Sequence, residues 1–219
     1  MLGLVGLILA FGLSLAVSRY QDRRGDIVTV ANAIGTTYLR AQTLPEPVRS
    51  RSLGLLVDYN GSALRVADKV PGSDAATAAA VSEELIERRL WREAAQALET
   101  APTATAPRLY VETLNEMFDA ENARVAGLTN RVPTAVLVLE IIGAAVALGL
   151  LAAYLVLLGR GRFSVVFASA LVALLLIVTT DLDRPTRGLI RVPDKVLRDQ
   201  LASMVLPPAA PAPQPPPPR

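Results

Sequence analysis

The sequence predicts an all-α integral membrane protein whose long helices run from transmembrane spans into a cytoplasmic helical bundle. Three observations lead there. Two long apolar runs, Thr134 to Leu158 and Phe163 to Thr180, stand on either side of a polar hinge, Gly159-Arg160-Gly161-Arg162. A third apolar run, Met1 to Val17, opens the chain. The remainder repeats its apolar residues at helical spacing between proline-marked breaks. A bilayer core about 30 Å thick takes roughly 20 apolar residues in a helix. The first run of the hairpin meets that length with one charged residue, Glu140, and the second meets its lower limit with none. A helical pair buried in a soluble protein is the alternative, but runs so unbroken suit a solvent that never wets them.

Composition narrows the chemistry. The 219 residues are 52% hydrophobic but only 5% aromatic, so the water-facing part must be built from Ala, Leu and Val. The absence of cysteine excludes disulfides and thiol chemistry, and the absence of histidine removes the commonest general base and metal ligand. A net charge of +2 is too small to argue for nucleic acid. With no nucleophile–base pair, phosphate loop or metal cluster in view, the sequence points away from an enzyme, and it calls for no cofactor.

The opening run, residues 1–18, reads as a first span; a signal peptide would need a basic residue ahead of it, and the first is Arg19. From Ser18 to Gln42 the apolar residues Tyr20, Ile27, Val30, Ile34 and Leu39 predict that the span continues into water as one helix. Leu44-Pro45-Glu46-Pro47 ends it. A second helix is expected from about Glu46 to Val70, with Leu53, Leu56, Val57, Leu64 and Val66 inward. Pro71-Gly72-Ser73-Asp74 is a turn, and Ser73 or Asp74 caps a third helix, Asp74 to Glu99. Val81, Leu85, Leu90, Trp91 and Leu98 are its expected buried edge. Pro107 suits the start of a fourth helix, with Leu109, Leu114, Met117, Phe118, Val125 and Leu128 as its stripe and Arg131 as its end.

The water-facing helical region thus spans 19–131 and the hairpin 132–181, with spans at about 134–158 and 163–180. Residues 182–205 form a C-terminal segment with a short helix, Pro193 to Val205. The tail, 206–219, is proline-rich and reads as disordered or polyproline II. Near the membrane, ten Arg and Lys residues lie on the bundle side (Arg19, Arg23, Arg24, Arg124, Arg131, Arg184, Arg187, Arg191, Lys195, Arg198). Only Arg160 and Arg162 lie on the other. That bias places the bundle and C-terminus in the cytoplasm of a multi-pass plasma (inner) membrane protein. With three spans, Met1 then lies outside.

Ala33-Ile34-Gly35-Thr36-Thr37-Tyr38-Leu39-Arg40-Ala41, then Leu44-Pro45-Glu46-Pro47, and later Asp181-Leu182-Asp183-Arg184-Pro185 with Gly188, resemble the bacterial bestrophin-like membrane proteins (DUF4239). The resemblance covers roughly residues 5–203. Members of that family usually carry one more span ahead of the first one here. The resemblance implies a distant relation to pentameric anion channels with an axial pore; no bestrophin neck or calcium-binding motif is matched.

Two sets of candidate residues follow. Glu140 lies about 10 Å into its span at 1.5 Å per residue. A carboxylate there is costly unless protonated, paired or facing water, which makes it a candidate for an ion path or proton exchange. A neutral Glu bonded to a neighbouring helix is the structural alternative. Asp181, Asp183 and Arg184 are candidates either for cation binding or for a structural ion pair with Arg19, Arg23 or Arg24 that fastens the hairpin to the bundle. Gly143 with Ala147, and Gly149 with Ala153, give the small-residue spacing of close helix contacts, while Ser14, Ser18 and Asn32 add polar groups to the long first helix. The expected partners are the lipid bilayer, further copies of the chain and an inorganic ion. The function expected is an oligomeric ion-conducting or ion-binding membrane protein; the other reading is a non-conducting scaffold or sensor whose cytoplasmic helices recruit partners.

Overall fold

The computed structural model of the chain describes residues 2–67, 69–159, 162–184 and 188–206. Part of the hairpin hinge, residues 185–187 and the proline tail from 207 onward lie outside the described residues. Seven α-helices are seen among those described: α1 (Leu2–Ala41), α2 (Val48–Ala67), α3 (Asp74–Thr100), α4 (Thr105–Thr129), α5 (Thr134–Leu157), α6 (Arg162–Leu182) and α7 (Lys195–Met204).

The 40-residue α1 is the axis of the molecule. At 1.5 Å per residue it is about 60 Å long, twice the thickness of a bilayer core. Its first half packs against α5 and α6, and its second half against α4, α2 and α7. Two helical stretches among the described residues, α5 and Phe163–Leu182 of α6, are long and apolar enough to cross a membrane. Their large side chains point outward: Ile141, Ile142, Val146, Leu150, Phe167 and Leu174 are all more than half exposed. Such a surface is tolerable in lipid and not in water. Gly159, with φ of 66°, takes the left-handed conformation that ends α5.

The bundle at the other end of α1 has a core of Val30, Ile34, Leu56, Tyr59, Leu90, Tyr110, Leu114, Met117 and Leu197. Polar ties fix its register. The Thr37 hydroxyl donates to the Thr113 carbonyl of α4 at 3.0 Å, and the Tyr38 hydroxyl to the Met204 carbonyl of α7 at 2.5 Å. Arg40 Nη1 donates to the Leu109 carbonyl at 2.9 Å. On α3, Ser73 is the N-cap, its Oγ accepting from the Ala76 N–H at 3.2 Å.

Several faces differ from those expected. On α3, Val81 and Leu85 are exposed, Trp91 is largely so, and Leu98 is half-buried. The buried edge is Glu83, Leu90, Ala94 and Ala97. Here the alanines let α3 sit close to its neighbours, and the bulkier residues are turned away. On α4, Leu109 and Val125 lie outside the packed stripe, which runs Tyr110, Leu114, Met117, Glu121, Arg124. Leu39 of α1 is likewise exposed, while Tyr38, bonded to α7, and the fully buried Ala41 take the inward positions beside it. Pro107 falls within the first turn of α4 rather than opening it.

Candidate functional site

Three groups of polar residues are built into the helix seams. The first lies between α1 and α5. Glu140 of α5 is 1% exposed, and neither carboxylate oxygen has a hydrogen-bond partner. The residue opposite is Gly12 of α1. A Cβ at position 12 would fall 1.4 Å from Glu140 Oε1 and 2.4 Å from its Cδ. Glycine at position 12 is therefore the notch into which the carboxyl is set. The same face of α5 continues with Ala144 and Ala147, both buried; Gly149, by contrast, has open space around it.

The second group is the junction between bundle and hairpin. Arg23 of α1 is 3% exposed and turns its guanidinium onto the ends of two other helices. It donates to the carbonyls of Asn130 (3.1 Å) and Gly127 (3.4 Å) at the end of α4. It also donates to the carbonyls of Leu182 (3.1 Å) and Asp183 (3.2 Å) at the end of α6. The carboxylate of Asp183 stands 3.9 Å from it and accepts from the Val132 N–H at 2.8 Å. A guanidinium suits this position because helix C-termini present unpaired carbonyls and partial negative charge. Burial lowers the pKa of Arg23, and Asp183 opposes that shift.

Asp181, two residues before Asp183, does a different job. Its two oxygens accept from the N–H groups of Leu189 and Ile190, each at 2.8 Å. Gly188 makes that loop possible: a Cβ there would lie 2.8 Å from the Asp181 carbonyl oxygen and 3.0 Å from both carboxylate oxygens. Arg184 is exposed, with a favourable Coulombic interaction with Asp181. Thus Asp181, Asp183 and Arg184 do not converge on one point. The two acids face different partners, and among the described residues no group of three or more acids is placed to hold a metal ion.

The third group was not singled out from the sequence. Glu121 and Arg124 of α4, 3% and 2% exposed, form a two-point ion pair, with Arg124 Nε donating to Glu121 Oε2 at 2.8 Å. Glu83 of α3, 5% exposed, faces them with one oxygen unpartnered. Desolvation, and then the charge of Glu121, push Glu83 up to about 8. Beside them the Tyr59 hydroxyl of α2 donates to Glu87 Oε1 at 3.2 Å. The signal was present in the spacing: Glu83, Glu87, Leu90, Ala94 and Ala97 repeat at three and four residues, which puts two acids on the buried edge of α3.

The architecture is that of a helical membrane protein with one helix continuous through both regions. Residues 3–197 match the Bestrophin-like domain, and the chain belongs to the Bestrophin-like family. It is similar in structure to a bacterial bestrophin homologue from Klebsiella pneumoniae, with a TM-score of 0.73 and 18% identity over 91% of this chain and 83% of that one. Two further crystal structures of that homologue, each carrying a point mutation, are as similar. One gives a TM-score of 0.72 at 20% identity and the other 0.74 at 18%, with the same coverage. No curated protein matches. The residues behind the family resemblance now have physical roles. Thr37, Tyr38 and Arg40 tie α1 to α4 and α7, and Asp181, Asp183 and Gly188 close the end of α6.

Proposed function

We propose that several copies of this chain assemble in a cell membrane into an ion channel, with α1 facing the path and the bundle in the cytoplasm. The observation that carries this reading is the outer face of α1. Ser14, Ser18, Gly25 and Asn32 are all exposed. At 100° per residue, they fall within about 40° of one another around the helix axis. From Ser14 onward that face is small and polar and suits water better than lipid, whereas Leu7 on the same line and Phe11 beside it are exposed and apolar; water reaches Ser14 and Ser18 within the span only if other copies enclose it. Membership of the Bestrophin-like family supports the same reading. The exposed pair Val81 and Leu85, one turn apart on α3, supports assembly, since a subunit alone would leave it in water.

In this reading Glu140 is the ion-path or proton-exchanging residue, acting from behind the lining helix. Gly12 is about 120–160° around α1 from that stripe, so Glu140 bears on the path from the opposite side of the helix. Asp183 with Arg23, and Asp181 with its loop, are structural and hold the hairpin to the bundle. Nothing in this scheme requires catalysis or a cofactor.

Ion flux from proteoliposomes of purified protein tests it. The expected result is flux in wild type, reduced by Ser18→Trp and altered by Glu140→Gln. If inserted protein passes neither anions nor cations, the chain is a scaffold or sensor; flux unchanged by Glu140→Gln removes Glu140 from the path. The chain has no cysteine of its own, so single cysteines at Glu99 and Leu158 report orientation. An impermeant thiol reagent applied to intact cells should reach position 158 and not 99.

A further inference from the structure

The core of the bundle changes character along its length. At one end α3 and α4 meet through Leu90, Ala94, Tyr110 and Leu114, all apolar or aromatic and all buried. At the other end the same faces present Glu83, Glu121 and Arg124, just as deeply buried. Arg124 directs both ends of its guanidinium at Glu121, and Nη2 also reaches the Ala63 carbonyl of α2 at 3.5 Å. Its one positive charge is therefore matched by Glu121. Glu83 is left over, with Oε1 buried and without a hydrogen-bond partner. A buried carboxylate without an ion-pair partner is among the costliest groups a fold can hold; it is neutralised if it takes up a proton.

We propose that Glu83, Glu121 and Arg124 form a proton-binding site whose occupancy sets how tightly α3 packs against α2 and α4. The charged and titratable groups facing Glu83 are known on every side. Glu87 lies on its own helix, Tyr59 and Arg65 come from α2, and Glu121 and Arg124 come from α4. Arg65 acts in favour of the ionised form, as Arg124 does, while Glu87 and Glu121 oppose it. Access for the proton is through Glu87. It lines an open groove of 320 Å³ with Arg88, Trp91, Asn115 and Phe118, and it accepts from the Tyr59 hydroxyl. Tyr59 is held there by an edge-on contact with Phe118, ring centres 6.1 Å apart.

The place of this site in the chain gives it a consequence. Arg124 lies one helical turn before Gly127, whose carbonyl is held by Arg23 at the membrane junction. Asp26 of α1 lies over Gly127, with Oδ2 2.8 Å from where a Cβ would stand, and is itself within electrostatic reach of Arg124. A change of charge at Glu83 is thus felt where α4 gives way to the membrane hairpin.

The sign of the pH effect follows from linkage. The native state holds a proton on Glu83 up to about 8, whereas the unfolded chain releases it near the ordinary glutamate value of 4.5. Below 4.5 both states are protonated and the native state has its full stability from this group. As pH rises from there toward 8 the unfolded state binds fewer protons, so stability falls; above 8 both are ionised and the loss is complete.

The test is the thermal midpoint of the full-length protein in detergent at steps from about pH 4 to about pH 9, the range that brackets the loss. For wild type the midpoint should fall by several degrees across that range. Glu83→Gln, which keeps the shape of the protonated acid, should remove the fall attributable to this site. Glu121→Gln frees Arg124 to pair with Glu83 and should move the fall to lower pH. The infrared band of a protonated carboxylic acid, read on the acid side of the transition, should be weaker in Glu83→Gln than in wild type. If Glu83→Gln lowers the midpoint equally at every pH and leaves that band intact, Glu83 is only a packing residue and the proposal is wrong. If Glu83→Gln does not fold, an unmoved pH dependence in Glu121→Gln overturns the proposal on its own.

Discussion

Gly12→Ala probes the seam between α1 and α5 with a single methyl group. That methyl would stand 1.4 Å from Glu140 Oε1 and 2.9 Å from Oε2. The carboxyl must leave its place or the helices must separate, and Glu140 is 1% exposed with both oxygens unpartnered. Overfilling a packed site of this kind costs about 1–3 kcal/mol. Against it, alanine is preferred to glycine inside a helix by roughly 1 kcal/mol. The single substitution should therefore destabilise by about 0–2 kcal/mol. That figure alone would prove little, so the informative quantity is the double-mutant cycle with Glu140→Ala. Once the carboxyl is gone the methyl has room, and Gly12→Ala should become stabilising by up to about 1 kcal/mol. The predicted coupling between the two positions is about 1–3 kcal/mol. Unfolding in mixed micelles, followed by far-ultraviolet circular dichroism as sodium dodecyl sulfate is increased, measures all four corners. A Gly12→Ala effect of the same sign and size in both backgrounds would refute the notch.

Arg23→Met keeps the stem of the side chain and removes its charge, stripping the ends of α4 and α6 of their shared donor; the same unfolding assay should register a loss of about 3–5 kcal/mol. Arg23→Lys should recover little of it, because an ammonium cannot span four carbonyls, so a lysine variant as stable as wild type would contradict the geometry. Gly188→Ala presses a methyl onto the Asp181 carbonyl and carboxylate, which should release the N–H groups of Leu189 and Ile190. Faster amide hydrogen exchange at those two residues checks it. Leu85→Glu places a charge on the exposed pair of α3 and should shift the mass of the detergent-solubilised protein from oligomer toward monomer, read by mass photometry.

The two hairpin helices were legible because their apolar runs are long and uninterrupted: Phe163 to Thr180 holds no charge, and no folded context is needed to see that. The continuity of α1 was legible because Ser18 to Gln42 contains no proline. Other features depend on which helices meet, and a sequence does not display that. The buried edge of α3 is made largely of alanines, which give no hydropathy contrast against their neighbours, so the larger Val81, Leu85 and Trp91 drew attention to the wrong side. Glu83 and Glu121 look like ordinary solvated acids until α3 is set against α4. Glu140 stood out at once as a lone charge in an apolar run. Its relation to Gly12 did not, because the register between two distant helices follows from packing and leaves no local pattern.

The central claim is that copies of this chain enclose a path for ions. Electrical recording across a planar bilayer after incorporation of the purified oligomer examines it most directly. The account predicts discrete current steps that are lost when Ser18 is replaced by Trp. Silent membranes at every voltage and salt composition, with incorporation verified, would contradict it.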